Sequence, residues 1–113
     1  MLNLQWVQCA GNVWCNLLSL NLESIGKVSG VYLIWHGGKQ WVRVGSGDIK
    51  NRLSAHRNDP QILAYRSHIL YVTWASVPAN QQEGVEAYLA EQCNPLVGER
   101  FPSRIPTEVN LPQ

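Results

Sequence analysis

The chain has 113 residues, 45% of them hydrophobic and 15% charged, with a formal net charge of +1. That size and balance describe one domain able to bury its own core, and they exclude a disordered chain. No whole-molecule field marks a polyanionic partner, and no apolar run approaches the ~18 residues that a membrane span needs.

The charge is unevenly placed. Between His36 and His68 stand Lys39, Arg43, Lys50, Arg52, Arg57 and Arg66 against only Asp48 and Asp59, whereas the segment after Asn80 is mainly acidic. A local basic surface and an ordinary mixed one are both compatible with this. Cys9, Cys15 and Cys93 are odd in number and include no Cys-x-x-Cys pair. Neither a disulfide framework nor a zinc site is expected, and the setting reads as a reducing cytoplasm. The opening residues show no basic leader before an apolar core, which points to a soluble protein.

Leu2 to Leu22 alternate weakly. Leu4 and Trp6 sit among polar neighbours, Gly11-Asn12 can turn the chain, and Val13, Cys15 and Leu17 alternate again, so a hairpin is expected, with a helix over Trp14 to Leu22 as the alternative. Residues 1–27 are read as an N-terminal extension covering an edge or face of a sheet.

From Gly30 to His56 the signal is stronger. Val31 to Trp35 and Trp41 to Val44 are β-branched and aromatic, with Gly37-Gly38 between them, which predicts a β-hairpin. A two-glycine loop would pair His36 with Lys39, Ile34 with Trp41 and Tyr32 with Arg43. Val31, Leu33, Val42 and Val44 would then share one face, and Tyr32 and Arg43 the other. Gly45-Ser46-Gly47 reads as a strand break, after which Asp48 can cap a helix starting near Ile49. On that helix Arg52 and His56 share one face while Ile49 and Leu53 share an apolar one.

Asp59-Pro60 can start a short second helix carrying Ile62, Leu63 and Tyr65. His68 to Val77 reads as a further strand ended by Pro78. Asn80 to Cys93 reads as the last helix, with Asn80 and Glu83 as a variant capping box. Glu86 lies beside Leu89, Ala90 and Cys93 on that helix, so it sits at the edge of the apolar face and needs a cation or hydrogen-bond partner. A salt bridge to Arg52 or Arg43 is the bland solution, and a metal ion is the functional one. After Asn94, the four prolines Pro95, Pro102, Pro106 and Pro112 leave residues 99–113 as an extended tail. Trp35, Trp41 and Trp74 read as core or rim residues, with base stacking as the alternative.

Gly30-Val31-Tyr32, Arg43-Val44-Gly45, the Arg52 and His56 pair and Glu86 nine positions before Pro95 together resemble the GIY-YIG nucleases, over residues Val28 to Gly98. The resemblance implies an α/β (α+β) domain at 28–98, with a small, mainly antiparallel sheet flanked by helices. It implies a catalytic set of Tyr32, Arg43, Arg52, His56 and Glu86, with Glu86 holding Mg²⁺ or Mn²⁺. The implied activity is metal-dependent hydrolysis of phosphodiester bonds in DNA, or in RNA. Two departures stand out: Arg43 replaces the tyrosine of the second signature, and Gly98 stands where an asparagine commonly follows the proline. From the expected register, Arg43 would lower the Tyr32 pKa and contact the scissile phosphate. A catalytically silent nucleic-acid or protein interaction module is the other expectation. Family members often take specificity from an attached domain, and here a partner subunit, a homodimer or low specificity would stand in its place.

Overall fold

In the computed structural model, which describes residues 1–98 and 104–112, the elements run β1 (Cys15–Asn16), β2 (Ser29–His36), β3 (Gln40–Asp48), α1 (Ile49–Arg57), α2 (Pro60–Leu63), β4 (Leu70–Ser76) and α3 (Ala79–Cys93). Short 3-10 turns lie at Ala10–Asn12 and Leu22–Ser24. The strands form one antiparallel sheet in the order β1-β4-β2-β3, and the fold class is α+β. Residues 99–103 of the expected tail, and Gln113, fall outside the described residues.

The β2–β3 hairpin forms, in a register different from the expected one. Its loop is Gly37-Gly38-Lys39, with Lys39 in the left-handed region at φ 69° and His36 opposite Gln40. That is a common three-residue solution, and it displaces the pairing that two glycines alone would give. A bulge follows: Trp35 faces Trp41, Ile34 faces Arg43, and Val42 is the extra residue. Tyr32 therefore lies opposite Gly45, and Arg43 is not its direct partner. Val42 also changes sides, burying with Tyr32 and Ile34 instead of with Val31, Leu33 and Val44. Gly45-Ser46-Gly47 does not break the strand, which stays paired to β2 as far as Asp48.

The sheet is covered on both faces. Tyr32, Ile34, Val72 and Trp74 pack under Ile49 and Leu53 of α1 and Ile62 of α2. Val31, Leu33, Val44 and Ala75 pack under Val85, Leu89 and Cys93 of α3. Asp48 accepts from the Asn51 amide at 3.0 Å, and Asp59 from the Gln61 amide at 2.9 Å with Pro60 in the first turn, so both helix starts follow the sequence signals. The expected box at Asn80 is not formed. Helix α3 begins at Ala79, leaving Asn80 inside it, and Glu83 pairs with Arg104 at 2.7 Å.

The N-terminal segment turns at Gly11 and Asn12, both at positive φ, but only a single bridge, Cys9 to Val13, forms across the turn. No helix covers Trp14 to Leu22; β1 joins the sheet beside β4. The turn brings Cys9 and Cys15 to a Cα separation of 5.2 Å, and they are joined by a disulfide. The cysteine spacing gave no sign of this, and it removes the cysteine argument for a reducing setting. Arg57 donates to the Leu17 carbonyl at 2.7 and 3.0 Å and to the Leu20 carbonyl, tying the segment to α1. At the other end, Asn110 binds both the amide and the carbonyl of Leu4. No helix among the described residues is long and apolar enough to cross a membrane.

Candidate functional site at the open edge of the hairpin

Strand β3 is the outer strand, and two glycines of the hairpin region explain how a phenol reaches its edge. A Cβ on Gly45 would fall on the Tyr32 hydroxyl and ring, so the tyrosine can lie across β3 only because Gly45 has no side chain. A Cβ on Gly30 would collide with the Ala75 carbonyl and come within 2.9 Å of the Val77 nitrogen, so Gly30 lets β4 approach β2. Tyr32 is only 1% exposed, and its hydroxyl is hydrogen-bonded to His56 Nε2, with ring centroids 5.3 Å apart.

Helix α1 supplies His56 and, one turn earlier, Arg52, whose Nε lies 3.0 Å from the place a Gly47 Cβ would occupy. Strand β3 supplies Arg43, whose Nε is buried with no hydrogen-bond partner among the described residues. From the other face of the sheet, α3 supplies Glu86, which is 9% exposed and accepts a 2.6 Å hydrogen bond from the Ser46 hydroxyl. Among the described residues Glu86 has no ion-pair partner, so the bland solution of a salt bridge to Arg52 or Arg43 is not the one adopted.

These groups feel one another's charge. Burial pushes the Tyr32 phenol above its usual value of 10, against the opposing pull of Arg43 and Arg52, while Glu86 pushes it up further. Arg43 acts on Tyr32 in the expected direction, lowering its pKa, while burial outweighs that effect and leaves the net shift upward. Burial first, and then the positive charge of Arg43, depresses the His56 imidazole from 6.5 to about 4. Burial also raises Glu86, against the Ser46 hydrogen bond and the two guanidiniums. Groups from β2, β3, α1 and α3 thus lie within reach of one another's charge along one edge, Tyr32 and His56 in direct contact on one face and Glu86 approaching from the other.

No family model, curated protein or solved structure matches this chain.

Ser46 is the member that sequence reasoning missed. The glycines on either side of it suggest a break, although alternation from Val44 places it on the face that α3 covers. Cys93, buried at the end of α3, has its thiol pushed up to about 12 by burial, which disfavours the nucleophilic thiolate. Glu86 is the carboxylate of this group that could hold a hard divalent cation. It is a desolvated carboxylate with one oxygen held by Ser46 and no direct ion pair among the described residues, although Arg43 and Arg52 act on it at longer range. No group of three or more His, Cys, Asp or Glu converges among the described residues, so a cation there would complete its shell with water and substrate oxygen, as Mg²⁺ commonly does.

Proposed function

We propose that the protein is a GIY-YIG-type endonuclease that hydrolyses phosphodiester bonds in DNA with Mg²⁺ or Mn²⁺. The observation that carries this reading is the meeting of Tyr32, His56, Arg43, Arg52 and Glu86 at the β3 edge, from four separate elements. A structural ion pair would explain one carboxylate or one arginine. It does not explain a buried guanidinium nitrogen without a hydrogen-bond partner together with a buried carboxylate that forms no ion pair, both among the described residues.

In this reading the proton path starts at the attacking water, which gives its proton to the Tyr32 oxygen as Tyr32 passes its own to His56 Nε2. An imidazole held at about 4 is unprotonated at neutral pH and can accept. Tyr32 need not be a phenolate beforehand, which suits a phenol whose pKa is raised. A phosphate seated between Arg43 and Arg52 offsets the two charges that help hold His56 down, so the base strengthens when substrate is bound. Arg43 and Arg52 receive the negative charge that develops on the phosphoryl oxygens. Glu86, steadied by Ser46, would hold the metal, which when bound neutralises the phosphate. As the water oxygen bonds to phosphorus, the bond to the leaving sugar oxygen breaks; that oxygen takes a proton from solvent and the imidazolium returns one to solvent, so the protons balance.

Two observations favour a catalytically silent interaction module instead. Tyr32 has almost no solvent contact, and Arg43 stands in place of the second signature tyrosine. Incubation with supercoiled and branched DNA in Mg²⁺ or Mn²⁺, beside Glu86→Gln, separates the two. Cleavage lost in the variant supports the nuclease; salt-sensitive binding with no cleavage by either protein supports the module.

A further inference from the structure

A second surface lies toward the loop end of the same hairpin. Trp35 of β2 is stacked on Tyr71 of β4, its cross-strand neighbour, at 5.7 Å and 25°. The Trp14 and Trp41 rings stand steeply to its plane, at 82° and 65°, with centroids 5.5 and 5.6 Å away. The three indoles, with Lys39, Gln40 and Pro112, line a groove of about 510 Å³. All three are half-buried, so each keeps surface in contact with solvent. Packing within the sheet accounts for Trp74, which is 6% exposed. It does not account for three tryptophans gathered around an open slot, since large aromatic surface is most favourable fully covered.

We propose that this groove is a stacking subsite for unpaired bases of single-stranded DNA, contiguous with the candidate nuclease site; the proposal rests on that reading. Flat aromatic walls accept any base, because every base has a π-face. The same walls would suit an organic cation, but Lys39 is the charged residue of the lining and repels one, whereas it attracts a phosphate backbone. Position agrees with chemistry. Trp35 alternates with Val31 and Leu33 along β2, and Trp41 packs with the cluster under α3, so the groove opens on the face from which Glu86 and Ser46 approach the edge. Val31, the partner of Ser46, is four residues from Trp35, which puts the groove roughly 13 Å along the strand from the carboxylate. A strand held at the edge of β3 can therefore lay its next bases on the indoles.

The test uses the full chain carrying Glu86→Gln, in EDTA, so that no cleavage intervenes. Fluorescence anisotropy of a labelled oligothymidylate of about a dozen nucleotides reads the affinity, with the matching duplex in parallel. Binding of the single strand is expected to weaken about tenfold with Trp14→Ala or Trp41→Ala and to be largely kept with Trp41→Phe. Circular dichroism and the unfolding temperature show whether each variant is folded. Equal affinity of folded alanine variants and parent overturns the proposal, as does loss of binding with Trp41→Phe as severe as with Trp41→Ala. Displacement of the strand by a proline-rich peptide and not by a second oligonucleotide also overturns it, identifying a peptide groove. Because cleavage is measured separately on the unmutated chain, stacking without cleavage would sink only the nuclease reading, and cleavage without stacking only the subsite.

Discussion

His56 and Glu86 carry shifts of opposite consequence, and each gives a prediction. His56 falls from 6.5 to about 4 on folding, so between those values the unfolded chain binds the extra proton and stability drops as pH is lowered through the window. The loss is at most about 3 kcal/mol, and smaller because the ring is partly solvated. Histidine resonances followed by NMR should show one imidazole titrating near 4, and a His56 midpoint near 6.5 would refute the burial argument. Glu86 is raised, so its own contribution to stability falls as pH rises above the carboxylate range, and the His56 effect is best measured in Glu86→Gln. Ser46→Ala should weaken Mg²⁺ binding by about 10- to 100-fold, since it frees the Glu86 carboxylate to turn. Isothermal titration with Mg²⁺ measures that directly, and an unchanged affinity would remove Ser46 from the site.

At the scale of elements, the hairpin shows what the sequence could and could not declare. Two β-rich runs around Gly37-Gly38 specified a hairpin, and Asp48 specified the start of α1. The register was not legible, because it depends on Lys39 taking a left-handed conformation and on Val42 being the residue extruded. Neither is encoded by alternation, and a one-residue shift moves side chains to the other face. The capping box at Asn80 misled for a related reason: Glu83 found Arg104, a partner far along the chain, and the helix began one residue early. The site survived these errors because Tyr32, His56 and Glu86 owe their places to β2, α1 and α3, whose existence was plain from periodicity. Gly45→Ala should be costly by several kcal/mol, because the new methyl group would have to displace the buried Tyr32 ring. Urea denaturation measures the loss. Gly45→Ala combined with Tyr32→Ala should recover part of it, and no recovery would show that the glycine serves something other than the tyrosine.

For the whole molecule, the cation proposed at Glu86 would stabilise the native state by mass action, so on that reading saturating Mg²⁺ should raise the unfolding temperature of the parent and leave that of Glu86→Gln unchanged. An equal rise in both would place the ion elsewhere. The disulfide between Cys9 and Cys15 spans the turn from which Trp14 projects, and closing so short a loop contributes about 2 kcal/mol on an entropic account. Trp14 is one wall of the groove, so thiol reagents act on more than overall stability. A preparation kept in dithiothreitol lacks the covalent link that holds the Trp14 turn in place, so bench buffers become an experimental variable for this protein.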